Sequence, residues 1–336
     1  MPRLAPSSAP PATDTAVIVG IDGGGSKTLV ASADRTGQAL RLQRGRGTSP
    51  LESPGWREAL AEQARPFARA SGLAGVAAAL PAYGEVDAAS AAQRQAIGEL
   101  FGRVPQRLLN DVDAAHLGAF AGQAGILILA GTGSMAWARD ATGASHRTGG
   151  WGDVIGDEGS GYWIGTRVLG AISKAIDGRA APTGLVDAVF VRLGLPSDDR
   201  MNQLLGWASG LDAPRMQIAK LAPLALECAE AGDPAANAIV DAAADELCLH
   251  IGTLERQLAA SKLAWSFAGG LFASPALRRA VTARVGRPAA PPRLPPVGGA
   301  LLAAAQHLGW PTDEEWIERL AASLRQLAED IGETAD

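Results

Sequence analysis

Residues 22–28, Asp-Gly-Gly-Gly-Ser-Lys-Thr, have the composition of a nucleotide-phosphate site. Three adjacent glycines let the backbone fold tightly and bring its N–H groups close to an anion. Asp22, which ends an apolar run, can hold a divalent metal ion directly or through water. The segment is not a Walker A loop, because that motif requires glycine directly before the lysine and Ser26 stands there. We therefore predict a phosphate turn of another architecture, formed by Gly23, Gly24, Gly25, Ser26, Lys27 and Thr28.

A second candidate phosphate turn is Gly131-Thr132-Gly133-Ser134. With Ala136 it also matches the dinucleotide fingerprint G-x-G-x-x-A, but that fingerprint requires a helix directly after the glycines. Residues 135–139, followed by a Thr-Gly pair, predict a strand and a turn instead. A plain hairpin turn is the other interpretation, and the presence of the first glycine turn favours phosphate binding.

Two carboxylates follow the strand predicted at 107–110. A carboxylate at the C-terminal end of a strand is well placed to accept a proton from a substrate hydroxyl. An acid at the start of a helix can instead act as its N-cap. We assign the general-base role to Asp111 and the capping role to Asp113.

The segment 149–161 is rich in glycine and carries three acids and a tryptophan. Glycines lose much conformational entropy on folding, and the close approach of a ligand would explain their presence. Asp157 and Glu158 can accept hydrogen bonds from hydroxyl groups. Trp151 offers an apolar face of the kind on which pyranose rings stack, although packing in the core is an equal alternative. Ser160 is also placed to cap the helix that follows.

Composition limits the class of protein. The 336 residues are enough for two domains, and 47% hydrophobic with 19% charged residues is typical of a soluble globular chain. A net charge of −5 gives no basic field for nucleic acid, and no apolar run is long enough for a transmembrane helix. Cys228 and Cys248 are too few for a disulfide framework, so we expect a cytoplasmic protein. The histidines show no ligand spacing, so we do not expect histidine to bind a metal. Residues 1–15 lack the apolar region of a signal peptide and are expected to form a disordered leader.

Hydrophobic periodicity predicts the elements that position these motifs. In the first half we predict strands at 17–22, 29–33, 39–43, 75–80 and 107–110 and helices at 56–70, 88–101 and 113–121. In the second half we predict strands at 126–130, 135–139 and 265–268 and helices within 159–178, 184–193, 213–231, 235–259, 276–285, 300–308 and 316–331, with a further helix after Gly269-Gly270. A strand, a glycine turn and a return strand thus begin each half. This repetition indicates a duplicated fold, with two domains facing each other across a cleft.

Taken in order, these motifs resemble the N-acetylglucosamine kinase / BadF-BadG-BcrA-BcrD ATPase family of the sugar kinase–Hsp70–actin superfamily. The resemblance covers about residues 16–310 and depends on the segments 20–28, 110–111, 131–134, 149–160 and 268–270. It implies an α/β fold with two RNase H-like (actin-like ATPase) domains, each a mixed five-stranded sheet flanked by helices. We expect these domains at 16–113 and 114–310, with a C-terminal helix in 311–336 that packs back on the N-terminal domain.

The resemblance also implies a nucleotide site. Asp22 and its glycine turn would hold Mg²⁺ and ATP, with the metal reached through water. Gly131, Thr132, Gly133 and Ser134 would hold the phosphates from the other domain, and Gly269 and Gly270 would match the adenosine motif.

On the sugar side, Asp111 would match the family's catalytic aspartate. Trp151, Gly152 and Asp157 would match positions that contact the sugar, and we add Glu158 and Ser160 to them. Family members usually carry an asparagine in the loop after the third strand. That loop, 45–51, contains no asparagine here, and Ser49 is the expected substitute.

The expected activity is ATP-dependent phosphorylation of an amino sugar, N-acetylglucosamine or glucosamine, at O6. One alternative within the resemblance is the ATPase that activates 2-hydroxyacyl-CoA dehydratases, whose [4Fe–4S] cluster is held by two cysteines per chain. The apolar surroundings of Cys228 and Cys248 indicate core packing instead. Another alternative is a non-catalytic, sugar-responsive regulator, although the sequence offers neither a helix-turn-helix candidate nor a basic patch. A homodimer formed through the second domain is expected, without nucleic-acid or membrane partners.

Overall fold

The computed structural model describes residues 15–259 and 263–332. Its strands are β1 (Val17–Gly23), β2 (Lys27–Asp34), β3 (Ala39–Arg46), β4 (Leu73–Leu80), β5 (Gln106–Asn110), β6 (Gly125–Ala130), β7 (Ser134–Arg139), β8 (Ser145–Gly149) and β9 (Trp265–Ala268). Its helices are α1 (Trp56–Ala68), α2 (Asp87–Phe101), α3 (Asp111–Phe120), α4 (Gly161–Ile176), α5 (Leu185–Leu193), α6 (Arg200–Ser209), α7 (Pro214–Ala219), α8 (Ala222–Glu230), α9 (Pro234–Gln257), α10 (Pro275–Val285), α11 (Pro296–His307) and α12 (Glu314–Asp330). A short 3₁₀ helix spans Gly270–Ala273. The predicted leader lies almost wholly outside the described residues.

The chain divides into two compact units. Among the described residues, the first contains 15–123 and 292–332, and the second contains 124–259 and 263–291. These boundaries differ from the domains predicted from sequence, because α3 and α11 both belong to the first unit. No helix among the described residues is long and apolar enough to cross a membrane.

The first unit is built on a five-stranded sheet in the order β3-β2-β1-β4-β5. β2 is antiparallel to β1 and β3, while β4 is parallel to β1 and β5. Successive β1 residues contribute to different cores: Ile18 packs with the cluster that includes α11 and α12, and Val19 packs with the cluster that includes α1 and α2. Because helices cover both faces, β1 and β4 are nearly continuous apolar runs.

Small residues bring α11 close to α3 and to the sheet. A Cβ atom at Gly299 would lie 1.9 Å from the Ala114 carbonyl oxygen, and one at Gly20 would lie 2.8 Å from the backbone nitrogen of Leu301. This close packing accounts for the placement of both helices in the first unit. The C-terminal helix α12 lies on β3, where the Ser323 hydroxyl accepts a hydrogen bond from the Ala39 N–H at 2.8 Å.

The second unit has a four-stranded sheet in the order β8-β7-β6-β9 among the described residues. Its core joins β6 to α4 and α9 through Ile128, Ile164 and Leu247. The order repeats that of the first unit without the fifth strand that we expected. Residues 287–290 lie beside β9, where the Ala290 N–H donates to the Trp265 carbonyl at 2.7 Å. Pro288 and Pro291, on either side of this contact, lack the N–H donors that a strand ladder requires, which explains the missing strand.

Other differences from the predicted elements have local causes. Strand β8 was not predicted, because Ser-His-Arg-Thr-Gly has no apolar alternation, yet it pairs with β7 along its length. Helix α6 was also not predicted, and its only buried side chain is Leu204. The single helical stretch expected at 213–231 is two helices, α7 and α8. After Gly269-Gly270 the expected helix is one 3₁₀ turn.

Candidate functional site

The first glycine turn joins β1 to β2 at the end of the sheet where β4 and β5 also finish. Asp22 pairs with Ala79 of β4 in the sheet register. The Gly24 N–H donates to the Lys27 carbonyl at 2.9 Å and closes the turn. The Gly24 carbonyl in turn accepts the Thr48 N–H at 2.9 Å. The turn is therefore held by its own backbone and by the loop after β3.

The loop after β3 is packed tightly against this turn. A Cβ atom at Gly47 would lie 1.9 Å from the Gly25 carbonyl oxygen. The Thr28 and Thr48 side chains are fully buried, and their hydroxyls are 2.9 Å apart. Ser49, the expected substitute for the family's asparagine, is 4% exposed and follows Thr48 directly. Ser49 therefore lies beside the first turn, and its contact with a sugar stays a prediction.

Asp111 is the first residue of α3, two residues earlier than the helix start predicted from sequence. The prediction that Asp113 caps this helix is wrong. The cap is Asn110, whose side-chain oxygen accepts the Val112 N–H at 3.0 Å. The Asp111 carboxylate accepts from the same N–H at 3.0 Å. Asn110 at the end of β5 thus caps a backbone N–H at the start of α3. Asp111 lies in the first turn of the helix, where the helix dipole favours a negative charge.

The carboxyls of Asp22 and Asp111 are half-buried and interact electrostatically. Burial raises the pKa of Asp22 to about 6, and the positive charge of Lys27 opposes this shift. Burial, followed by the charges of Asp22 and Glu85, raises the pKa of Asp111 to about 7, against the lowering effect of the Val112 N–H. Asp111 is therefore poised to exchange a proton near neutral pH.

Glu85 is a neighbour of Asp111 that the motif analysis missed. It lies in the loop after β4, where the side-chain nitrogen of Asn110 donates to its carboxylate at 3.4 Å and to the Tyr83 carbonyl at 3.1 Å. Ala82 in this loop has a φ of 58°, an uncommon conformation for a residue with a side chain. The sequence could have indicated Glu85 by its position, because the loop after β4 must lie at the same edge of the sheet as Asp22 and Asp111.

The second glycine turn is a hairpin between β6 and β7, so a dinucleotide fingerprint is excluded. The Gly131 N–H donates to the Gly133 carbonyl at 2.9 Å. The start of α4 supports the turn, because the Gly161 N–H donates to the Gly131 carbonyl at 2.8 Å and the Tyr162 N–H donates to the Thr132 carbonyl at 3.1 Å. A Cβ atom at Gly131 would meet no atom within 4 Å, so space remains beside the turn.

Gly269 lies directly against this second turn. Its φ is 98°, and a Cβ atom there would lie 2.4 Å from the Ala130 carbonyl oxygen and 3.1 Å from the Gly131 nitrogen. At Gly270 a Cβ atom would meet no atom within 4 Å. The structure thus brings the predicted adenosine motif and the predicted phosphate turn together in the second unit.

The loop between β8 and α4 contains an exposed tryptophan. Trp151 is 66% exposed, which excludes the core-packing interpretation, and Gly152 has a φ of 79°. Ser160 is fully buried, and its hydroxyl caps α4 by accepting the Trp163 N–H at 3.2 Å. Ser160 therefore serves the helix, and its burial argues against the predicted contact with a substrate. Glu158 is half-buried, and its carbonyl accepts from the Ser134 hydroxyl at 2.7 Å.

Asp157 is 3% exposed, and both carboxylate oxygens have protein partners. One accepts the Ser134 N–H at 3.2 Å, and the other accepts from the Arg215 guanidinium at 2.8 Å. A sugar hydroxyl would have to share these oxygens, so the predicted substrate contact of Asp157 stays a prediction. Arg215 carries no motif that sequence analysis could have recognised.

The two cysteines pack against the core of the second unit, as the sequence predicted. Burial raises the pKa of Cys248 to about 11, and burial also raises the pKa of Cys228. Both side chains therefore stay thiols at neutral pH.

Comparison with known families adds to this geometry. The model of the BadF/BadG/BcrA/BcrD ATPase family matches residues 19–304. The chain belongs to this family. Among its relatives, an N-acetylmuramic acid/N-acetylglucosamine kinase from Clostridium acetobutylicum is 34% identical over 168 residues, which span 49% of this chain and 54% of that protein. An N-acetyl-D-glucosamine kinase from Dictyostelium discoideum is 29% identical over 272 residues, which span 73% of this chain and 81% of that protein.

Solved structures that are similar to this chain support the α/β fold with two sheets. A candidate N-acetylglucosamine kinase from Chromobacterium violaceum superposes with a TM-score of 0.70 at 28% identity, covering 86% of this chain and 99% of that one. A ROK family glucokinase from Streptomyces griseus, solved with glucose and AMPPNP, gives a TM-score of 0.58 at 15% identity, with coverage of 86% and 99%. The similarity to the glucokinase supports the fold alone.

Proposed function

We propose that this protein is an ATP-dependent kinase of an amino sugar, N-acetylglucosamine or glucosamine, that transfers a phosphoryl group to O6. The observation that carries the proposal is Asp111, a half-buried carboxyl with a pKa of about 7 beside Asp22 and a glycine turn. A base titrating near neutral pH can accept a hydroxyl proton at the moment of attack. The two amino-sugar kinases among the relatives supply the substrate class.

The residues around Asp22 fit a magnesium ion. The charge of Asp22 raises the pKa of Asp111, so the two half-buried carboxyls form an acidic pair whose charge a divalent cation would offset. Mg²⁺ prefers oxygen ligands and keeps most of its water. We propose that Asp22 holds the ion through water. When bound, Mg²⁺ would offset the negative charge of the ATP phosphates.

Backbone N–H groups would bind the nucleotide. The first turn, residues 23–28, and the second turn, residues 131–134, would each offer donors to the phosphates. Gly269 and Gly270 would receive the adenosine, because both are exposed and Gly270 leaves open space where a side chain would stand.

Asp111 would orient the sugar O6 hydroxyl and take its proton as the oxygen attacks the γ-phosphorus. Trp151, with its exposed ring, would stack on the sugar face, and Gly152 would allow the ring to approach the backbone. Ser49, Asp157 and Glu158 would offer hydrogen-bond partners to the remaining hydroxyls. The homodimer and the cytoplasmic location stay predictions.

Replacement of Asp111 by Asn tests the proposal. We expect kcat for phosphorylation of the best amino sugar to fall by roughly 10²- to 10⁴-fold, the usual contribution of a positioned base, while the Kd for Mg-ATP changes little. Asp113→Asn is the matched control, because it removes an acid two residues further along the same helix turn, and it should keep kcat within about twofold.

Turnover is measured with glucosamine, N-acetylglucosamine, N-acetylmuramic acid, glucose and a keto-deoxy acid as substrates. ³¹P NMR of the product then locates the phosphate. Turnover of an amino sugar that survives in Asp111→Asn would overturn the assignment of the base. Turnover with none of the panel would overturn the proposed substrate class.

A further inference from the structure

Asp157 is a buried carboxylate in an unusual backbone conformation. Its φ is 60°, a left-handed value that a residue with a side chain adopts only where surrounding contacts hold it. The contacts are those with Ser134 of the second glycine turn and with Arg215 of α7. The residue is therefore fixed from two directions: by the turn on one carboxylate oxygen and by the arginine on the other.

Gly133 shows how closely the second turn rests on these two side chains. A Cβ atom there would lie 2.6 Å from a guanidinium nitrogen of Arg215 and 2.7 Å from a carboxylate oxygen of Asp157. A side chain at this position would displace the guanidinium or the carboxylate, so glycine allows both groups to lie against the turn. The guanidinium and the carboxylate together form the surface that supports the turn.

Helix α7 delivers Arg215 to the turn. This helix packs so closely on α4 that a Cβ atom at Gly165 would lie 2.1 Å from the Ile218 carbonyl oxygen. The first N–H groups of α4 bind the second glycine turn. Because α7 packs on α4, α7 is also fixed relative to that turn. Arg215 also lies 3.7 Å from the carboxylate of Asp153, in the loop that carries the exposed tryptophan.

Charge explains why an arginine is needed at this position. An ionised carboxylate with 3% of its surface exposed is strongly disfavoured unless a cation pairs with it. Arg215 supplies that cation at 2.8 Å and keeps 31% of its own side chain accessible. Without it, one carboxylate oxygen of Asp157 would lose its charged partner, and the side chain would be free to turn toward solvent, away from the Ser134 N–H.

We propose that Arg215 is a positioning residue for the second glycine turn: through Asp157, which accepts the Ser134 N–H, it holds residues 131–134 in the shape that binds nucleotide phosphate. The inference rests on the proposed function in one respect only, that this turn binds ATP phosphates. It does not depend on which sugar is phosphorylated.

The first test is the affinity for Mg-ATP without sugar, measured by calorimetry on the full chain. Arg215→Met should weaken binding by at least about tenfold, and Arg215→Lys should recover part of the loss because it keeps the charge. Arg284→Met is the matched control: Arg284 also pairs with two aspartates, Asp241 and Asp245, which lie on α9 away from the turn. Its affinity should stay within twofold of the wild type, and equal losses in Arg215→Met and Arg284→Met would overturn the proposal.

The double variant Asp157→Asn/Arg215→Met separates positioning from general damage to the fold. The asparagine oxygen can still accept the Ser134 N–H, and no buried charge is left without a partner. We expect the double variant to bind Mg-ATP several-fold more tightly than Arg215→Met, and to fold even if the single variant does not. Wild-type affinity in Arg215→Met, or strictly multiplicative losses in the double variant, would overturn the proposal.

The same experiment distinguishes this proposal from the proposed function. A wild-type protein that binds Mg-ATP but phosphorylates no amino sugar would overturn the kinase assignment and leave the test of Arg215 intact. A wild-type protein that binds no nucleotide would overturn the role of Arg215.

Discussion

The hydroxyls of Thr28 and Thr48 form a hydrogen bond of 2.9 Å in the interior of the first unit. Thr28 is the second residue of β2, just after the first glycine turn, and Thr48 lies in the loop after β3. Because the Thr48 N–H also binds the Gly24 carbonyl, this pair fixes the loop against the turn. The shape of the turn therefore depends on a residue 20 positions away in the chain.

Replacing Thr48 by Val tests this relationship. The variant keeps the side-chain volume but removes the partner of the Thr28 hydroxyl, and a buried hydroxyl without a partner costs about 1–3 kcal/mol. We expect a loss of that size in urea unfolding. The double variant Thr28→Val/Thr48→Val should recover part of it, because both polar groups are then absent. Additive losses would show that the two hydroxyls do not act as a pair.

Gly269→Ala should be poorly tolerated. The new Cβ would meet the Ala130 carbonyl oxygen at 2.4 Å, and the φ of 98° is strained for alanine. Because both the clash and the strain involve backbone, we expect a loss of at least about 2 kcal/mol, visible as a lower Tm and weaker binding of Mg-ATP.

Gly270→Ala is the control for the stability measurement, because its Cβ would meet nothing within 4 Å. Its Tm should stay close to that of the wild type. Equal Tm values for the two variants would contradict the close packing of Gly269 on the second turn.

The two glycine turns could be predicted because their signals are local. An apolar strand that runs into glycines and hydroxyls is visible within a dozen residues, as at 17–28 and 126–134. The strands that lead into both turns follow from short apolar runs and turn residues, which need no distant partner. Asp111 was also recognisable, since it directly follows a short apolar strand.

Features that depend on distant contacts could not be predicted. Arg215 meets Asp157 across 58 positions, and no spacing rule connects an arginine in a short helix to a glycine turn. The Asn110 cap was missed because the neighbouring aspartates are equally good caps in isolation, and the contacts of Asn110 with the loop after β4 decide between them. In the described part of the second unit a fifth strand is missing because Pro288 and Pro291 flank the segment that lies beside β9, and only the fold reveals that position.

Trp151→Ala should raise the KM for the amino sugar with little effect on stability. The ring is 66% exposed, so its loss removes little buried area, whereas stacking on a sugar depends on the ring directly. Leu249→Ala is the matched control, because this side chain is 62% exposed and lies on α9. Both variants should keep the wild-type Tm, and only Trp151→Ala should raise KM. Unchanged KM values in both variants would remove the tryptophan from the sugar site.

Asp111 should make the free protein less stable as pH rises. Its pKa is about 7 in the folded protein, above the ordinary value of 3.8, so the folded state holds a proton that the unfolded state has lost between these two pH values. Folding stability therefore falls as pH rises from about 4 to 7 and levels off above that range. Below about pH 4 both states are protonated, and the carboxyl has no effect of this kind.

Asp111→Asn removes this dependence, because the amide does not ionise. In metal-free buffer we expect the variant to melt several degrees above the wild type at pH 8 and at nearly the same temperature as the wild type below about pH 4. Thermal unfolding across this pH range provides the measurement. If the difference in Tm between the variant and the wild type is the same at every pH, the raised pKa of Asp111 is wrong. If that difference grows between pH 5 and 7, Asp111 is a carboxyl that destabilises the free protein, and its role as the base explains why it is kept.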